Sequence, residues 1–194
     1  MRNLLNYIGL ALLAVTFAFT GIEKKRIVID VSHGGQDRGA IYKNLNEKEI
    51  TLLIAKKLKA LNKDVNVKIV MTRESDEFIS IEDRAKMIND LKPDFVISLH
   101  ANFHYDKSKN GTEIYVFENG IQIEKSKKLA LAISQSFENR KVEIKNANFQ
   151  LLKSVDYPIA LVELGFLTNE SDRALLISEE GQTEFAKILL NVIK

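Results

Sequence analysis

Cysteine is absent from the 194 residues. That excludes disulfides, thiolate metal sites and a cysteine nucleophile. It leaves the compartment open, because a chain without thiols suits any redox environment. Proline is almost absent as well, with Pro93 and Pro158 the only two. There is no linker rich in Pro, Gly or Ser, no internal repeat and no low-complexity tract, so nothing divides the chain into separate units. Charge of one sign is also lacking: 28 Lys and Arg oppose 26 Asp and Glu, for a formal net charge of +2. A nucleic-acid binder would show a clustered basic excess. The interspersed signs here read as a solvated mixed surface, with no nucleic-acid partner expected.

What is present begins with one long apolar stretch, in "MRNLLNYIGLALLAVTFAFTGIEKK". Arg2 supplies a positive start, an apolar core follows, and the small residues Ala18 and Thr20 stand at candidate cleavage positions. Residues 1–22 therefore read as a secretory signal peptide or as an uncleaved N-terminal membrane anchor of nearly spanning length. No lipobox cysteine is available. Residues 23–194 remain as one domain, long enough for one sizeable core.

Along that domain strand and helix patterns alternate. Residues 26–31 form a β-branched run that reads as a buried strand. Asn46 with Glu49 three residues on has the form of a capping box, and Ile50, Leu53, Ile54, Leu58 and Leu61 follow at helical spacing. Residues 65–71 read as a strand, and Ser80 with Asp83 opens a helix that stops before Pro93. Residues 95–99, 111–117 and 159–164 are further strands; residues 124–137 and 183–193 are further helices. This predicts an α/β fold with a mostly parallel central sheet of about six strands and helices on both faces.

Three apolar strands end in, or carry near their ends, a residue able to bind metal or move a proton: His33, His100 and Glu163. In open α/β sheets the crevice lies at the carboxyl ends of the strands, so these distant side chains can converge. His33 in "IVIDVSHGGQD" is followed by two glycines, which permit backbone shapes closed to other residues and let a ligand approach. Glu47 lies in the first turn of its helix, where a carboxylate already complements the helix dipole; it is also available as a third ligand. Two imidazoles and a carboxylate, with one position left for water, make a catalytic zinc set. Glu163 within "IALVEL" is costly to bury unless paired or working. Unpaired, it would have a raised pKa and could serve as a general base. His104, in "NFHYDKSKN", reads as a loop residue, and Arg73 and Arg84 as braces of the fold through carboxylate pairing.

Four blocks together resemble the zinc-dependent N-acetylmuramoyl-L-alanine amidases of the amidase-3 type, which cut bacterial peptidoglycan. They are "IVIDVSHGGQDRGA", "NEKEITLLIAKKLK", "VISLHAN" and "IALVELGFLTNESDRALL", in family order over about residues 26–192. The resemblance implies one Zn²⁺ held by His33, Glu47 and His100, with Glu163 catalytic. It implies hydrolysis of the amide between N-acetylmuramic acid and L-alanine, by an exported, monomeric protein of the periplasm or cell envelope. "MTRESDEFISIEDRAKMIN" also follows the family's pattern of an Arg, an Asp and a second Arg. One departure is Val31-Ser32, where the family usually has Pro-Gly. Some relatives carry an inserted helix that blocks the zinc until an activator protein removes it. The stretch between His100 and Glu163 is compact, so an open site is expected. A zinc peptidase acting on stem-peptide bonds would use the same ligands. A non-catalytic wall-binding module is disfavoured by the presence of all four residues, and "SHGGQDRG" is not a nucleotide-binding GxGxxG turn.

Overall fold

A computed structural model describes residues 24–138 and 140–193, so the leader expected over residues 1–22 lies outside the described residues. The first apolar run becomes β1 (Lys25–Val31). Successive side chains of a strand point to opposite faces, and β1 uses both. Ile27, Ile29 and Val31 enter one hydrophobic cluster and Val28 the other. Each such fully buried aliphatic side chain contributes about 1.5–3 kcal/mol.

A hairpin of β2 (Ile41–Tyr42) and β3 (Leu45–Asn46) leads into α1 (Glu47–Leu61). β4 (Val67–Met71), α2 (Ile81–Leu91) and β5 (Phe95–Asn102) follow. Then come β6 (Thr112–Val116), α3 (Ile123–Gln135), β7 (Val142–Asn146), α4 (Gln150–Ser154), β8 (Ile159–Phe166), α5 (Glu170–Ile177) and α6 (Glu179–Ile193). The six-stranded sheet has the order β4-β1-β5-β8-β6-β7. β4, β1, β5 and β8 run parallel; β6 is antiparallel to β8, and β7 is parallel to β6. α1, α3 and α6 cover one face through residues such as Ile54, Ile133 and Leu189. α2 and α4 cover the other through Ile88, Leu151 and Leu152.

This order places the crevice. The chain leaves β1 for β4 on one side, then returns to β5 on the other side of β1. Ligand crevices of open α/β sheets form at the carboxyl ends of the strands where the order reverses. His33 lies just past the end of β1, and His100 lies near the end of β5.

Ser80 caps α2 as its spacing implies, with Oγ accepting the Asp83 N–H at 3.1 Å. The capping box read at Asn46 is not formed. Asn46 occupies the N-cap, but its side chain makes no capping bond. Its Oδ1 instead accepts from Arg38 Nε at 2.6 Å, and its Nδ2 donates to Glu49 Oε1 at 3.1 Å. Arg38 outcompetes the helix N–H groups because a charged donor makes the stronger bond. Among the described residues no helix is long and apolar enough to cross a membrane.

Candidate metal centre

Past Val31 the chain turns sharply. His33 adopts the left-handed backbone region (φ 58°), followed by Gly34 at φ 128° and Gly35 at φ 56°. A non-glycine residue there is uncommon, and such strain concentrates at functional sites. The turn is gripped from outside. Arg84 donates to the carbonyls of Val31 and His33. Lys48 Nζ donates to the Gly35 carbonyl, and the Gly35 N–H to Asp76 Oδ1, both at 2.8 Å. Arg84 also pairs at 3.0 Å with Asp30, a buried carboxylate that accepts from Thr72 Oγ1 and Ser98 Oγ as well. Arg84 thus braces the fold through a carboxylate, as its type and position implied. Arg73 does not: it donates to the carbonyls of Val31, Ser32 and Lys48, at 3.1, 2.8 and 2.7 Å. Where a strand ends its carbonyls lose ladder partners, and a buried guanidinium can satisfy several at once.

His33 Nδ1 lies 2.8 Å from Asp37 Oδ2. A carboxylate on one ring nitrogen fixes the orientation and leaves the other for a ligand. That other nitrogen, Nε2, stands 3.1 Å from Glu47 Oε2. Glu47 is 4% exposed. Its Oε2 accepts the Ala40 N–H at 2.8 Å, and its Oε1 accepts the Ala101 N–H at 3.0 Å. His100 Nδ1 is 2.8 Å from Glu47 Oε1. One ligand atom from each of His33, Glu47 and His100 falls within 4.8 Å of the others. Ligands about 2.0–2.2 Å from a tetrahedral zinc stand about 3.3 Å apart, so the cluster fits a small divalent ion.

The electrostatics agree. Burial disfavours charge on both imidazoles, but the hydrogen bonds and negative charge of Glu47 outweigh it; His33 is raised, and His100 is pushed up to about 9. Burial likewise opposes ionisation of Glu47, yet the hydrogen bonds from His100 and His33 hold it below the usual carboxylate range. A carboxylate that draws protons onto its neighbours would equally draw a cation. Gly39 backs the cluster: a Cβ there would stand 2.5 Å from Glu47 Oε2 and 2.6 Å from His33 Cδ2.

Glu163 comes from β8, in parallel register with His100 and in antiparallel register with Glu113 of β6. Strand alternation aims all three at the face covered by α2 and α4, with Val96, Leu161 and Tyr115. Pairing of β5 with β8 shifts between His100 and Asn102, a device that re-aims side chains beside active sites. Glu163 Oε2 is enclosed and has no hydrogen-bond partner among the described residues. Burial lifts the pKa; His100 pulls it down, and Glu47 and Glu113 push it up, to about 7. Glu113 is itself held by Tyr115 Oη at 2.6 Å, Asn102 Nδ2 at 3.1 Å and Lys145 Nζ.

His33, Glu47, His100 and Glu163 line a cleft of about 700 Å³. The side chains of His33 and His100 are 22% and 19% exposed to it. His104 stays outside the cleft on an exposed loop, its ring edge-on to Phe166 at 6.5 Å. Asp30, Asp37, Gly39 and Glu113 were not singled out in the sequence. Asp37 alone had a local signal, a carboxylate four residues after a candidate ligand imidazole.

A family model described as N-acetylmuramoyl-L-alanine amidase, Amidase_3, matches residues 27–194. YqiI of Bacillus subtilis, described as uncharacterized, is 34% identical over 202 aligned positions, covering 100% of this chain and 97% of its own length. The N-acetylmuramoyl-L-alanine amidase LytC of the same organism is 36% identical over 154 residues, which span 77% of this chain but only 31% of LytC. The catalytic domain of the amidase CwlV from Bacillus (Paenibacillus) polymyxa superimposes with a TM-score of 0.80 at 30% identity, covering 87% of this chain and 96% of that one. The chain belongs to the Amidase_3 family of N-acetylmuramoyl-L-alanine amidases.

Proposed function

We propose that this enzyme is a zinc-dependent hydrolase of bacterial peptidoglycan, cleaving the amide between N-acetylmuramic acid and L-alanine. His33, Glu47 and His100 hold one zinc ion per chain, and Glu163 is the general base. The observation that carries this reading is the meeting of three ligand atoms within 4.8 Å, beside a carboxylate whose buried oxygen has no partner among the described residues. Zinc, when bound, lowers the pKa of water towards about 7 and polarises a carbonyl.

The chain's own residues supply the rest. Asp37 keeps the His33 ring turned so that Nε2 faces Glu47. The Ala40 and Ala101 N–H groups pin both oxygens of Glu47. Glu163 takes a proton from the attacking water as its oxygen bonds to the lactyl carbonyl carbon. The resulting carboxylic acid then returns that proton to the alanine nitrogen as the C–N bond breaks. The products are a lactyl carboxylic acid on the sugar and a peptide with a free α-amine; the acid then gives up the second water proton, and the amine takes one up to become an ammonium. A carboxyl group poised near pH 7 is suited to accept and then donate.

All four residues come from one chain, which supports action as a monomer. The cleft reaches both imidazoles with their rings partly exposed, which supports an open site that needs no activator to uncover it. A peptidoglycan substrate requires export to the periplasm or cell envelope, with residues 1–22 serving as signal peptide or membrane attachment.

Digestion of purified peptidoglycan with mass analysis of the soluble fragments tests the reading. The expected products are peptides beginning at alanine, lost with a chelator and restored by zinc. Cleavage inside the peptide would instead indicate a peptidase, and no release by the zinc-loaded protein would overturn the assignment.

A further inference from the structure

The cleft and a second concavity are unlike in character. Towards α2 and α4 the wall is apolar, lined by Phe78, Ile79, Ile81, Phe149 and Leu151. Phe78 and Phe149 are 50% and 41% exposed. A second concavity, of about 810 Å³, opens between the β2–β3 turn, the loop after β5 and the start of α5. Its lining includes three cations, Lys43, Lys107 and Arg173, against one carboxylate, Glu170.

Two of the cations lie over one aromatic ring. The Tyr42 centroid lies 5.1 Å from the Arg173 guanidinium carbon and 5.7 Å from Lys43 Nζ. Arg173 Nη1 is fixed by the carbonyls of Leu167, Thr168 and Asn169. Lys43 and Lys107 are exposed, and among the described residues neither enters an ion pair. Lys43 also holds a left-handed backbone, φ 55°, a conformation that disfavours any residue with a Cβ.

The two concavities are lined by neighbouring stretches of chain. Ala40 lines the first and Tyr42 the second; Asn102 and Phe103 line the first and Lys107 the second. The Asn102 carbonyl accepts the Leu167 N–H at 2.8 Å, and Thr168 Oγ1 accepts the His104 N–H at 3.2 Å. These bonds tie the chain leaving β5 to the chain leaving β8.

We propose that the groove carrying Lys43, Lys107 and Arg173 receives the acidic stem peptide, and that the sugar lies against the Phe78 and Phe149 wall. This rests on the amidase reading, because the scissile bond joins those two parts. The peptide side bears free carboxylates, which complementary cations attract and orient. The N-acetylated sugar is uncharged and presents C–H faces that pack on aromatic rings.

Two synthetic N-acetylmuramoyl tripeptides test it, alike except that the second residue bears a free carboxylate or a carboxamide. Two exposed ion pairs of ordinary strength predict that the zinc-loaded enzyme prefers the acidic substrate by about three- to tenfold in kcat/KM at low salt. In the variant carrying Lys43→Gln and Lys107→Gln that ratio falls to about one. In a control carrying Lys125→Gln and Lys187→Gln, which removes equal charge elsewhere, the ratio persists. Equal rates on both substrates in the wild type, or a preference that survives Lys43→Gln with Lys107→Gln, would overturn the proposal. Calorimetric binding of the two free tripeptides to the same proteins gives a readout independent of turnover. A binding difference that tracks the lysines without any turnover supports the groove and overturns the amidase reading; no binding difference overturns the groove.

Discussion

Gly39→Ala is expected to disable the metal centre while leaving the sheet intact. The methyl group would stand 2.5 Å from Glu47 Oε2 and 2.6 Å from His33 Cδ2, where ordinary contact begins at 3.4 Å, so each must yield by about 0.8–0.9 Å. Neither can yield freely. Glu47 is held by two backbone N–H groups and His33 by Asp37. Metal sites tolerate ligand displacements of only about 0.2 Å, so the loss of zinc affinity should be at least about a hundredfold, or about 2.7 kcal/mol. Placing a Cβ at the left-handed φ of 64° adds about 1–2 kcal/mol of instability to the metal-free fold. Competition with a chromophoric chelator reads the first effect and urea unfolding the second. Zinc affinity within threefold of wild type would refute the reasoning, because it would show that the cluster absorbs an ångström of crowding.

Four further outcomes follow from contacts already described. Asp37→Asn, which removes the charge orienting His33, should weaken zinc binding by about 10–100-fold with little change in unfolding; unchanged affinity would remove Asp37 from the account. Metal loading should be strongly pH-dependent, because zinc needs a neutral imidazole and His100 is pushed up to about 9 in the metal-free protein. Calorimetry in two buffers of different ionisation enthalpy should show proton release at pH 7. The stability that protonated His100 gives the metal-free fold should be complete below its ordinary 6.5 and lost as pH rises through about 9, and flat urea midpoints across that window would count against it. Asp30→Ala should cost about 3–5 kcal/mol by leaving Arg84 buried without its carboxylate; a loss under 1 kcal/mol by chemical denaturation would mean that the carbonyls of Val31 and His33 suffice.

The parts of this architecture that were legible in the sequence were those whose burial is continuous. β1, β5 and β8 are covered on both faces and announce themselves as apolar runs, and strand-end logic then brings His33, His100 and Glu163 to one edge. β7, in "VEIKN", lies at the sheet edge with no fully buried residue, so it carries no such run and was missed. α5 was missed because only Asp172 and Leu176 of its eight residues are buried. The false capping box at Asn46 and the carbonyl partners of Arg73 share a cause: groups outside the helical pattern, Arg38 and the strand-end carbonyls, decide where each side chain goes. Asp30 was hidden because one carboxylate in an apolar run signals nothing until its partner Arg84, 54 residues away, is placed beside it.

The most direct test of the central claim is metal content and turnover measured together on wild-type protein and Glu163→Gln. The account predicts one zinc per chain in both, with turnover in the variant lower by about 10²–10⁴-fold. Absence of metal from the wild type after zinc loading, or near-normal turnover in the variant, would contradict it.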